Sequence, residues 1–154
     1  MGVTIAVESP LQDEVRVLIA ALNDFLLPLS PPEFQFKLTV EQMADAQTSL
    51  LIARDADGRA VGCAALKLHG DGLGEVKRMF TLPQVRRTHV GVRLIEALEV
   101  LAREKGVARL VLETGTDEAM LPARRLYEHC GFVRRGPFLD YPDSAHNAYY
   151  EKAL

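Results

Sequence analysis

The sequence predicts a mixed α/β fold built as one domain. Three observations carry this. Hydrophobic periodicity switches between two and 3.6 residues in the order β-α-α-β-β-β-α-β-α-β-β. Asp57-Gly58 joins two apolar runs as a tight hairpin, so the first half is antiparallel. Leu110-Val111-Leu112 is apolar without alternation, as in a central strand covered on both faces, and it follows a helix, which makes a βαβ unit of the second half. A chain of 154 residues suits a single sizeable core.

Val3–Glu8 alternates enough for a first strand. Ser9-Pro10-Leu11-Gln12 carries a helix-start signature, with Ser as N-cap, Pro at the first helical position and Gln three after the cap. Val15, Leu18, Ile19, Leu22, Phe25 and Leu26 then repeat at helical spacing, and Pro28, Pro31 and Pro32 end the helix. Thr39-Val40-Glu41-Gln42 is a second cap of the same kind, heading a short helix. Leu50–Arg54 and Ala60–Leu68 form the predicted hairpin, His69-Gly70-Asp71-Gly72 is a turn, and Gly74–Leu82 is the next strand.

From Val90, the residues Leu94, Ile95, Leu98, Leu101 and Ala102 form the buried stripe of a helix. Arg93, Glu96, Glu99, Arg103 and Glu104 face outward, Glu99 and Arg103 as an i,i+4 pair, and Gly106 is the stop. Ala108–Glu113 is the central strand. Pro122 opens the last helix, whose face is Ala123, Leu126, Tyr127 and Cys130, and Phe132–Arg135 and His146–Ala153 finish as strands.

Hydrophobic residues make up 48% of the chain and charged residues 25%, as in ordinary globular proteins. No run of about 18 apolar residues predicts a membrane span. The opening M-G-V-T-I-A-V-E-S-P has neither a basic start nor a long apolar stretch, and Gly2 lacks the Ser or Thr of a myristoylation signal. Cys63 and Cys130 form no disulfide framework and no metal-ligand pattern, so a reducing cytoplasm is expected.

The formal charge of −3 is unevenly spread. Residues 1–49 hold seven acids against Arg16 and Lys37, whereas residues 76–95 hold Lys77, Arg78, Arg86, Arg87 and Arg93 and no acid. One short basic island without interleaved aromatics excludes a nucleic-acid groove and favours a small phosphorylated ligand. The island ends in Q-V-R-R-T-H-V-G-V-R-L-I, Gln84 to Ile95, which runs straight into a helix. The first N–H groups of a helix have no partner and its dipole favours negative charge, so this is a candidate anion site, the alternative being a capped helix beside solvated arginines.

Arg86-Arg87-Thr88-His89-Val90-Gly91 resembles the pyrophosphate loop [QR]-x-x-G-x-[GA] of the GNAT superfamily of acyl-CoA-dependent N-acyltransferases. Ala123-Arg124-Arg125-Leu126-Tyr127-Glu128-His129-Cys130-Gly131-Phe132 is similar to that superfamily's A-x-x-L-Y-x-x-x-G-F segment. Both stand in register from about Thr48 onward. The resemblance implies a single domain over 1–154, with a mixed, mostly antiparallel sheet of about six or seven strands and about four helices. It implies a cleft between the Glu75–Leu82 and Ala108–Glu113 strands, with acyl-CoA, acetyl-CoA by default, as donor and no metal. It implies that Met79, Phe80, Thr81, Arg86, Arg87, Thr88, His89, Val90, Gly91, Val92 and Tyr127 hold the co-substrate.

His89 stands where that loop has its middle glycine, adding a ring and a conformational limit. Met120 stands where many relatives carry an asparagine. The implied chemistry is attack of an amine on the thioester carbonyl in a ternary complex. It needs a base for an ammonium of pKa about 10, a donor for the oxyanion and a proton or hydrogen bond for the thiolate. Backbone N–H groups around Met79–Thr81 suit the oxyanion. Tyr127 suits the thiolate. Full transfer from a phenol to a thiolate is uphill by roughly 1.5 pKa units, about 2 kcal/mol, so a strengthening hydrogen bond serves better.

Glu75 is the first candidate for the base and Glu113 the second, each directly or through water. As residues alone, both also read as ion-pair partners of Lys77 or Arg109. Cys63 and Cys130 read as small apolar residues. The acceptor expected is a small-molecule amine, met by the acidic N-terminal part or by the aromatics and carboxylate of Gly136–Tyr141. An amino-acid-like acceptor would need Arg78 or Lys77 as a carboxylate clamp. A CoA-binding module without turnover is the alternative, and a homodimer is compatible with either.

Overall fold

The computed structural model describes residues 2–154. Seven strands form one sheet in the order β1-β2-β3-β4-β5-β7-β6. They are β1 (Thr4–Glu8), β2 (Thr48–Arg54), β3 (Ala60–Gly70), β4 (Leu73–Thr81), β5 (Arg109–Gly115), β6 (Val133–Arg135) and β7 (Asn147–Ala153). Four helices complete the fold: α1 (Asp13–Leu26), α2 (Val40–Met43), α3 (Val90–Glu104) and α4 (Leu121–His129). All neighbours pair antiparallel except β4 and β5.

Each face of the sheet buries one apolar layer. On one face Leu51, Ala64, Leu66, Val76, Leu110 and Leu112 meet Leu94, Ile95 and Leu98 of α3 and Tyr127 of α4. On the other, Leu50, Ile52, Cys63, Ala65 and Phe80 meet Val15, Leu18, Ile19 and Leu22 of α1 and Met43 of α2. A smaller cluster of Val111, Phe138 and Tyr149 lies farther along. Leu110 and Leu112 point one way and Val111 the other, which is why this strand shows no apolar alternation.

Two features of β4 shape the gap beside it. Its parallel pairing with β5 runs only from Leu73↔Arg109 to Val76↔Leu112, and beyond Val76 the two strands part. A bulge also interrupts its pairing with β3. Ala65 is opposite Lys77 and Cys63 is opposite Phe80, so Arg78 and Met79 together face Ala64. Arg78 takes φ +54°. With regular alternation and no bulge Phe80 would share the face of Val76; the bulge turns it to pack with Cys63 under α1.

The two helix-start signatures end differently. Thr39 forms the full capping box: its hydroxyl accepts from Gln42 N at 3.0 Å, and the Gln42 side chain accepts from Thr39 N at 2.8 Å. Ser9-Pro10-Leu11-Gln12 does not start a helix. The Gln12 amide donates to the Ser9 carbonyl at 2.7 Å and to Glu8 Oε1 at 3.1 Å, making a turn, and α1 begins at Asp13. Glu99 departs from the outward position its spacing predicts. It is 7% exposed, accepts from Lys152 Nζ at 2.8 Å and meets Arg103 only at 4.0 Å. The predicted turn at residues 69–72 tightens to Asp71-Gly72, both at positive φ, and β3 runs on through Gly70.

Candidate active site

The gap between β4 and β5 opens a cleft of about 790 Å³, including open solvent, that reaches both faces of the sheet. Leu22, Leu26 and the 29–37 segment wall it on the α1 side. Val76, Lys77, Arg78 and Met79 come from β4, Glu113, Thr114 and Gly115 from β5, and Met120 and Tyr127 from α4 and the turn before it. β4 has no strand partner on its β5 side past Val76, so the backbone at Met79–Thr81 keeps free polar groups along that edge.

At one end of the split, β4 leads through a 3-10 turn at Pro83–Val85 and a further turn at residues 86–89 to the N-terminus of α3. The first helical bond is Arg93 N to His89 O at 3.0 Å, which leaves the N–H groups of Val90, Gly91 and Val92 without intrahelical acceptors. No side chain caps this end, and its first turn holds no acid. His89 is the N-cap residue, at φ +64°, ψ 14°, and Arg87 is at φ +66°. This left-handed conformation is why glycine suits the position. Histidine is among the few other residues enriched there, so the loop forms with it.

Arg86, Arg87, Thr88 and His89 are exposed around this end. Arg86 leans back, its Nε donating to Thr81 O at 3.3 Å and its guanidinium 5.6 Å from the Phe25 ring centroid. Gly91 serves a packing need as well: a Cβ there would stand 3.0 Å from Leu126 Cδ2 of α4 and 3.6 Å from Met79 Cε. The free N–H groups, the basic surround and the open strand edge fit a diphosphate followed by an extended, amide-bearing arm, as in acyl-CoA.

Tyr127 is buried against Phe132 and Tyr150, with ring centroids 6.0 and 6.3 Å away, and it lines the cleft. Burial, and then the nearby Glu113 charge, push its phenol well above the usual tyrosine value. It therefore stays protonated. Glu113 also lines the cleft. Its Oε2 accepts from Asn147 Nδ2 at 2.9 Å, and burial raises its carboxyl above the ordinary range against the opposing pull of that bond and of Lys77.

Glu75 sits elsewhere. It is 2% exposed and lies outside the cleft lining, where it accepts from the Tyr141 hydroxyl and meets Lys77 Nζ at 3.3 Å and His69 Nε2 at 2.9 Å. Arg109 pairs with Glu151 at 2.7 Å and with neither candidate base. The Gly136–Tyr141 stretch spends its aromatics on structure: Phe138 packs on Tyr149 at 5.4 Å, Tyr141 binds Glu75, and Asp140 is exposed.

None of the seven N-terminal acids lines the cleft, and three of them form ion pairs elsewhere. Glu8 and Glu14 bind Arg54, and Glu41 binds Arg16. Cys63 is fully buried, its thiol pushed up to about 12, and donates to Arg78 O at 3.2 Å, so it packs and does not react. Phe34, Phe36 and His146, which line the cleft, and Asn147, which holds Glu113 there, are site residues that sequence reasoning missed. No local pattern marks them, because the fold brings them to the cleft from opposite ends of the chain.

Comparison with known proteins settles the class. The family model described as the acetyltransferase (GNAT) family matches residues 18–132. This chain belongs to the GNAT acetyltransferase family. It is 42% identical over 154 residues to the IAA acetyltransferase of Azospirillum brasilense, covering 99% of each chain. It is 32% identical over 142 residues to the uncharacterized N-acetyltransferase YsnE of Bacillus subtilis, covering 90% of this chain and 93% of that one.

A solved structure from Klebsiella pneumoniae, assigned as an acyl-CoA N-acyltransferase, superposes with a TM-score of 0.83 at 33% identity, over 99% of this chain and 97% of that one. The PaiA N-acetyltransferase of Thermoplasma acidophilum, solved with coenzyme A, shares the fold at a TM-score of 0.75 and 17% identity, with full coverage of both chains. The protein is thus an acetyl-CoA-dependent N-acetyltransferase of the GNAT fold, as the two sequence motifs imply. Among the described residues no helix is long and apolar enough to cross a membrane.

Proposed function

We propose that the enzyme acetylates the primary amine of a small molecule by direct attack within a ternary complex at the β4–β5 cleft. The observation that carries this is the convergence of Glu113 and Tyr127 on one cleft whose wall residue Met79 lies against Gly91 in the uncapped first turn of α3. The diphosphate lies on the N–H groups of Val90, Gly91 and Val92, with Arg86, Arg87, Thr88 and His89 around it. The pantetheine arm pairs with the free edge of β4 at Met79, Phe80 and Thr81. A backbone N–H of that edge holds the developing oxyanion.

Glu113 acts as the base, directly or through one water, and takes one proton from the substrate ammonium. The raised carboxyl is a better proton acceptor than an ordinary one. The amine nitrogen then bonds to the thioester carbon, and the carbon–sulfur bond breaks. Tyr127, held protonated by burial, donates a hydrogen bond to the leaving sulfur. The second amine proton ends on sulfur by way of that hydroxyl. The products are an amide, the CoA thiol and one proton. Glu75 holds Lys77, His69 and Tyr141 in place on the buried side of β4.

The test is a thermal melt with and without acetyl-CoA. Ligand at 100 times its Kd adds about 2.7 kcal/mol of stability. A clear rise in Tm supports the donor site, and an unchanged Tm at millimolar acetyl-CoA removes it.

A further inference from the structure

Resting on the acyltransferase reading above, we infer that the acceptor is an amino acid with an apolar or aromatic side chain, and that Arg78 binds its carboxylate. Arg78 is the cation that the fold places in the cleft at some cost and leaves incompletely partnered. It is 7% exposed, sits on the β4 bulge at φ +54°, and lines the cleft on the α1 side. Its one side-chain hydrogen bond among the described residues is to the amide oxygen of Asn23, from one terminal nitrogen. Its Nε is buried with no partner, and no acid among the described residues pairs with it. A buried guanidinium with a free N–H and no counter-charge fits a planar anion, and a carboxylate matches its fork.

Charge around the cleft agrees. Lys37, Lys77 and Arg78 line it against a single carboxylate, Glu113. Lys77 is held by Glu75 and by the Tyr141 hydroxyl at 2.7 Å, which removes it as the clamp. A simple cationic amine would meet net repulsion here, whereas an amino acid brings its own carboxylate. Leu22, Leu26, Leu29, Phe34 and Phe36 give the α1 side of the cleft an apolar surface for a hydrocarbon side chain.

Matched pairs test this: thiol release from acetyl-CoA with leucine and phenylalanine against their decarboxylated counterparts, 3-methylbutylamine and phenethylamine. A site whose buried polar group is left unpaired by the wrong substrate discriminates strongly, and a preference in kcat/KM of at least about 100-fold for the amino acids is expected. Arg78→Gln should raise KM for the amino acid about 100-fold, with the acetyl-CoA dissociation constant unchanged, and Arg78→Lys should recover part of the loss.

In parallel, calorimetry on the CoA-loaded wild type should show N-acetyl-leucine binding more tightly than N-acetyl-leucinamide. Consumption of acetyl-CoA with the decarboxylated amines as readily as with the amino acids overturns the carboxylate proposal and leaves the acyltransferase reading intact. Equal binding of acid and amide overturns it independently of turnover. No binding or consumption of acetyl-CoA removes the acyltransferase reading, and this proposal with it.

Discussion

Asn147 Nδ2 donates to Glu113 Oε2 at 2.9 Å and also reaches the Phe34 carbonyl at 3.0 Å. One amide thus ties the cleft carboxylate to the segment that walls the acceptor side. It orients Glu113 while burial keeps the carboxyl readily protonated.

A base must be ionised to accept a proton, so activity should rise with pH through the Glu113 pKa. Because burial raises that pKa, the rising limb of kcat/KM should lie above the ordinary glutamate value of about 4.3. Glu113→Gln should lower kcat/KM by about 100-fold or more and abolish the limb. Glu75→Gln should keep the limb but move it toward lower pH, because the Glu75 charge helps to raise the Glu113 carboxyl. A pH-rate series on both variants checks this.

The same shift bears on stability. A carboxyl whose folded pKa is raised stabilises the fold most below its unfolded value, and that contribution is lost as pH rises through the folded value. At neutral pH Glu113→Gln should therefore unfold at a temperature equal to or above that of the wild type. Calorimetric melts at acid and neutral pH should show the gap closing on the acid side.

Tyr127→Phe keeps the ring packed on Phe132 and Tyr150 and removes only a hydroxyl that has no protein partner among the described residues. The acetyl-CoA melt shift should survive while kcat falls by about 10- to 100-fold. Equal loss of both would assign the hydroxyl to binding.

His89→Gly relieves a left-handed residue but adds unfolded-state freedom, two effects of about 1 kcal/mol each that oppose one another. Stability should change by less than about 1 kcal/mol, and acetyl-CoA affinity should hold or improve, by titration calorimetry.

Gly91→Ala places a methyl 3.0 Å from Leu126 Cδ2. Overpacking of this kind costs about 1–3 kcal/mol. Adding Leu126→Ala should give less than the sum of the two losses, since the clash disappears. A double-mutant cycle in denaturant measures that coupling.

The order of elements was legible because apolar periodicity and turn residues act locally, and the Thr39 capping box formed as its residues suggest. The Ser9 signature failed because Gln12 found closer acceptors in Ser9 and Glu8, the latter held by Arg54. Nothing local marks the Arg78 bulge, since arginine gives no sign of positive φ. The 86–91 loop and the segment around Tyr127 were readable as motifs that resemble the family's. The engagement of Glu75 was not, because Tyr141 reaches it from 66 residues away. Glu113 became the better candidate for the base only once the fold put it, and not Glu75, on the cleft.

The most direct test of the central claim is amine-dependent thiol release from acetyl-CoA, followed for wild type and Tyr127→Phe with a panel of amino acids and simple amines. The account predicts release that depends on the acceptor in the wild type and is strongly reduced in the variant. Acetyl-CoA that stabilises the protein but yields no thiol with any acceptor would contradict it, and would leave a CoA-binding module without turnover.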